Sequence, residues 1–87
     1  MYSIVYSKQA LKHISLLKSA NLSSKAKSLI DIISENPLKN PPPYEKLVND
    51  LKGMYSRRIN AKHRLVYQVF EEIKTIKVLS MWTHYEF

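Results

Sequence analysis

The spacing of apolar positions changes twice along this chain. Tyr2, Ile4 and Tyr6 alternate with Ser3 and Val5, and this run of β-branched and aromatic residues predicts a short strand over Tyr2–Tyr6. Ser7 is placed to cap a helix. Beyond it Ala10, Leu11, Ile14 and Leu17 recur at helical spacing, with Lys8, Lys12 and Lys18 elsewhere on the surface. The pattern breaks at Ser19-Ala20-Asn21. A second helical stripe of Ala26, Leu29, Ile30 and Ile33 begins near Ser23 and should end at Asn36, because Pro37 disfavours helical dihedrals in the residue before it. The two helices are close enough in sequence to form a hairpin covering one face of a sheet.

All four prolines fall between Pro37 and Pro43, which predicts an extended connector. After it the period returns to that of strands, over Met54–Ile59, His63–Phe70 and Thr75–Tyr85. Asn60-Ala61-Lys62 and Glu71–Lys74 suit the hairpin loops between them. Gly53 is the sole glycine and stands where the first of these strands needs a turn or bulge. This order predicts one α+β domain over residues 1–87: an N-terminal strand, then a helical hairpin packed on an antiparallel β-sheet.

Composition narrows the chemistry. The 87 residues contain no cysteine, which excludes a disulfide scaffold, a zinc ribbon and a thiol nucleophile. No apolar run approaches the roughly 20 residues that span a bilayer. The start does not read as a signal peptide, so a cytoplasmic location and no membrane partner are expected. No metal-ligand spacing is present, and neither a metal nor a cofactor is expected. The formal net charge of +7 points to an anionic partner, nucleic acid before acidic protein.

The eleven lysines are scattered, whereas Arg57, Arg58 and Arg64 lie within eight residues. The planar guanidinium fork matches two phosphate oxygens, so this cluster is a candidate phosphate grip. Arg57 and Arg58 project from opposite faces of a strand, so at most one of them serves a given site. An ordinary surface charge is the alternative reading of Arg57. Arg64 interrupts an otherwise buried strand and needs a partner or a ligand. His13 reads as a solvated or stem-packed residue and His63 as structural. His84 is a possible acid–base group at the end of the last strand. Glu45, taken alone, reads as a solvated edge residue. A carboxylate, a fixed cation and an imidazole together are sufficient for RNA cleavage without a metal.

The run Gly53-Met54-Tyr55-Ser56-Arg57-Arg58-Ile59, followed by His63-Arg64-Leu65-Val66-Tyr67, resembles the signature of the YoeB/Txe toxins of the RelE superfamily. Glu45-Lys46-Leu47 and the closing His84-Tyr85 resemble two further parts of that pattern. The resemblance implies a RelE-like fold and a type II toxin–antitoxin module. It further implies a ribosome-dependent endoribonuclease that cuts mRNA in the ribosomal A site. Carried over by position, it makes Glu45 the general base, Arg64 the phosphate-stabilising cation and His84 the general acid. Tyr85 and Arg58 become substrate-binding residues. The family lysine a few residues after the glutamate is replaced here by Val48, and Lys46 is the candidate to compensate. The family pattern closes at the tyrosine, whereas this chain carries Glu86 and Phe87 after Tyr85. The implied partners are the ribosome, mRNA and an acidic antitoxin of YefM type, with a homodimer by analogy. Two alternatives remain: a non-catalytic toxin of the same fold inhibiting DNA gyrase (ParE type), and a basic RNA-binding module without catalysis.

Overall fold

A computed structural model describes residues 1–47 and 53–82. Strand β1 (Ser3–Tyr6) leads into helices α1 (Lys8–Ser19) and α2 (Ser23–Glu35). Strands β2 (Glu45–Lys46), β3 (Met54–Arg58), β4 (Arg64–Phe70) and β5 (Thr75–Ser80) follow. They form one sheet in the order β1-β5-β4-β3-β2, with β1 parallel to β5 and the other neighbours antiparallel. The α+β architecture is the one the sequence predicts.

Local chemistry accounts for the helical hairpin. The Ser7 hydroxyl accepts from the Ala10 N–H and donates to the Leu79 carbonyl, so the residue that caps α1 also ties it to β5. The end of α1 is fixed by Asn21, whose φ of 59° places it in the left-handed region that asparagine tolerates. With Asn21 there, its own N–H reaches the Lys18 carbonyl and that of Leu22 reaches Leu17, which satisfies the last carbonyls of the helix. Helix α2 stops at Asn36, before Pro37, as predicted.

The core lies between these helices and one face of the sheet. Ala10, Leu17, Ala26 and Ile33 meet Ile59, Leu65, Tyr67, Ile76 and Val78. Each large aliphatic side chain taken out of water there contributes about 1.5–3 kcal/mol. Three details depart from the sequence reading. The buried stripe of α1 is Ala10, His13 and Leu17, whereas Leu11 and Ile14 flank it in solvent. His13 is therefore buried and not solvated: its Nδ1 accepts from the Met81 N–H at 3.0 Å. Strand β5 ends at Ser80, short of the predicted Tyr85, and residues 83–85 lie outside the described residues.

The connector before β2 is held from within. The Arg57 guanidinium is only 1% exposed, against the surface reading. Its Nε–H donates to the Tyr67 hydroxyl, and its terminal nitrogens donate to the carbonyls of Pro37, Lys39 and Pro42. The Tyr44 ring lies 5.1 Å from the guanidinium carbon, within cation–π range. Burial raises the Tyr67 phenol pKa and outweighs the lowering effect of Arg57. The phenol stays protonated and donates to the Pro37 carbonyl at 2.7 Å. Arg57 thus fastens the proline connector to β3 and β4, so the chain reaches Glu45 from a fixed point.

Candidate active site

Strand register assembles the site. Arg58 stands directly across from Arg64 between β3 and β4, and Glu45 directly across from Ser56 between β2 and β3. Alternation along β3 then puts Ser56 and Arg58 on one face, the face turned away from the helices. Glu45 and Arg64 join them there. A shallow cleft of about 240 Å³ results, lined by Pro43, Tyr44, Glu45, Ser56, Arg58 and Arg64. Arg64 donates to a Glu45 carboxylate oxygen at 3.3 Å.

The electrostatics favour an anion. Like charges directly opposite on a sheet face are destabilising, and Arg58 and Arg64 are such a pair. A single carboxylate answers them within the cleft lining. The Glu45–Arg64 contact is solvent-exposed at the carboxylate end, 69% for Glu45 against 19% for Arg64. Exposed pairs of this kind contribute about 0–1 kcal/mol. A phosphate can therefore take over Arg64 at small cost and leave the carboxylate free to act as a base.

Of the six residues singled out in the sequence, Glu45, Arg58 and Arg64 are brought together. Lys46 pairs with Tyr55 and so projects from the opposite face of its strand to Glu45. It does not join the cleft. His84 and Tyr85 lie outside the described residues, as does Val48. Ser56 is a further member of the cleft, beyond those the sequence predicts. Its signal was the period of two from Arg58 along a strand.

The chain just before residue 83 is secured at two points. His13 holds Met81, and the Trp82 ring stacks on His63 at 3.9 Å, one residue from Arg64. Burial lowers the pKa of both His13 and His63, and the Lys62 charge lowers that of His63 further. A larger apolar hollow of about 450 Å³ lies between α1, α2 and β1, with Lys27 and Asp31 as its charged lining groups. It holds no grouping of base and guanidinium. Among the described residues no cluster of three His, Asp or Glu side chains could hold a metal ion. No helix there is long and apolar enough to cross a membrane.

Comparison with known proteins gives concordant matches. Residues 6–85 match the family described as YoeB-like toxin of bacterial type II toxin–antitoxin system. A toxin YoeB from Synechocystis sp. is 37% identical over 71 residues, covering 82% of this chain and 73% of that protein. The YoeB–YefM complex from Staphylococcus aureus contains a chain similar in fold, with a TM-score of 0.80 and 36% identity. That match covers 98% of this chain and 99% of that one. The YoeB dimer from the same organism matches with a TM-score of 0.81 and 36% identity, over 97% and 98% of the two chains.

Proposed function

The chain belongs to the YoeB-like toxins of bacterial type II toxin–antitoxin systems, and from that membership we propose that it is a ribosome-dependent endoribonuclease cleaving mRNA in the A site. The observation that carries the proposal is the opposed Arg58–Arg64 pair with Glu45 attached to Arg64 in one cleft.

The chemistry follows from those groups. A phosphodiester entering the cleft takes Arg64 through its non-bridging oxygens, with Arg58 beside it, and releases Glu45. Glu45 accepts the proton of the ribose 2′-hydroxyl. The 2′-oxygen attacks phosphorus, and Arg64 stabilises the charge that builds on the pentacoordinate phosphorus. The P–O5′ bond breaks as His84 protonates the departing oxygen, which leaves a 2′,3′-cyclic phosphate and a 5′-hydroxyl. Trp82 is stacked on His63, next to Arg64, and only Thr83 separates it from His84, at most about 7 Å of extended chain. This supports His84 as the acid. Tyr85, one residue on, serves to hold the substrate.

The proposed partners are the ribosome, the messenger and an acidic antitoxin of YefM type. The antitoxin assignment follows the Staphylococcus aureus complex, and a homodimer follows the dimer from that organism. A cytoplasmic location accords with a ribosomal target. The gyrase alternative has no use for a base held against a phosphate-binding arginine.

The test is translation of a defined messenger on purified ribosomes, followed by mapping of the ends. Wild type should yield 2′,3′-cyclic phosphate ends, and His84→Ala should lose about 100-fold or more in cleavage rate. Undiminished cleavage by His84→Ala would remove the acid assignment. Inhibited supercoiling with translation intact would favour the gyrase reading.

A further inference from the structure

Among the described residues one buried side-chain polar atom has no hydrogen-bond partner, and it lies in the cleft. Ser56 is 4% exposed and its Oγ is shut off from solvent. A hydroxyl buried in this way gives up its bonds to water and gains nothing in return, so the resting fold is less stable for carrying it. An unbonded group at a site of chemistry points to a partner that arrives later.

Register identifies that partner. Ser56 is the residue directly across from Glu45, on the same face, and both line the cleft. Opposed residues of antiparallel strands have Cβ atoms about 4.5–5.5 Å apart, so a change of rotamer brings the carboxylate to the hydroxyl. In the resting structure the carboxylate instead accepts from Arg64 at 3.3 Å. Held there, the carboxylate leaves the Ser56 hydroxyl unbonded, and a phosphate that takes Arg64 frees it to turn.

We propose that Ser56 is a positioning residue for cleavage: once the scissile phosphate takes Arg64, the Ser56 hydroxyl donates to the Glu45 carboxylate and holds it toward the 2′-hydroxyl. This rests on the endoribonuclease reading above. Ser56 keeps its proton throughout. One Glu45 oxygen accepts from Ser56 while the other takes the 2′-hydroxyl proton. The bonds made and broken are those already given, O2′–P and P–O5′. An unbonded serine in the resting state thus gives the base a second hydrogen-bond donor when its first is withdrawn.

The experiment measures cleavage on programmed ribosomes, with thermal unfolding of the same preparations. Ser56→Ala is expected to lower kcat about 10- to 100-fold, the effect of losing a hydrogen bond to a charged group. KM should change little, and Tm should be unchanged or higher because an unbonded hydroxyl has been removed. In a Glu45→Gln background the same substitution should cost nothing more, since Ser56 acts through Glu45. Wild-type kcat in Ser56→Ala would overturn the inference. So would full multiplication of the two effects, or a loss of activity that merely follows a lowered Tm. Absence of cleavage by wild type would overturn the endoribonuclease reading, and the inference with it.

Discussion

Arg57 and Arg58 are neighbours whose side chains leave the sheet in opposite directions. Arg58 projects into the cleft, while Arg57 spends its donors on three carbonyls and a phenol. Replacing Arg57 by alanine removes the donor from these buried and half-buried acceptors, of which the Pro37 carbonyl keeps the Tyr67 hydroxyl, and each unmet acceptor costs about 1–3 kcal/mol. With overlap between them, a loss of about 3 kcal/mol is expected, a Tm drop of more than 10 °C for a domain of this size. Calorimetry checks it; an unchanged Tm would mean that the connector is held by other contacts. Arg58→Ala should leave Tm nearly unchanged, because Arg58 is exposed. The two roles could not be told apart from the sequence. Alternation places them on opposite faces, but the carbonyls that claim Arg57 lie 15 to 20 residues earlier, in a segment with no pattern of its own.

Among the elements, the order of β1, the two helices and β3 to β5 was legible because each of them carries its own period and its own stops. Ser7, Asn21, Pro37 and Gly53 mark boundaries by local chemistry, and Gly53 enters β3 with φ of +76°. What local signals cannot give is how far the α1 stripe is turned toward the core. The burial of His13 is not a local signal: its partner, the Met81 N–H, is 68 residues away. The contact has a pH signature. Above the ordinary histidine pKa of 6.5, His13 and His63 are neutral whether the chain is folded or not. As the pH falls below 6.5, the unfolded chain takes up protons that the folded chain resists, because both pKa values are lowered on folding. Stability should therefore be full above pH 6.5 and decline below it, levelling off beneath the folded values. His13→Gln, which can still accept from Met81 but does not titrate, should show a shallower decline between pH 7.5 and 5.5. An equally steep decline would assign the effect elsewhere. The site was half legible on the same grounds. Glu45 and Arg64 carried family signals, but their meeting depends on β2, a strand of two residues with no period to detect.

For the molecule as a whole, the +7 charge divides between scattered lysines and an arginine pair fixed by register. Binding to single-stranded RNA should weaken with salt, with the slope of log K against log salt set by the phosphates contacted. Arg58→Ala is expected to reduce that slope by about 0.7, the contribution of one contact to a single strand. An unaltered slope would remove Arg58 from the RNA surface. The small size of the domain is compatible with catalysis because few groups are needed, provided that a larger RNA surface orients the substrate.

The proposed reaction places mRNA cleavage in the Glu45–Arg64 cleft. It is tested most directly by the single-turnover cleavage rate on programmed ribosomes for wild type and Arg64→Ala, each verified as folded and ribosome-bound. A loss of about 100-fold or more at saturating toxin is predicted, the scale at which one stabilising group in a transition state contributes. Equal rates for the two proteins would contradict it.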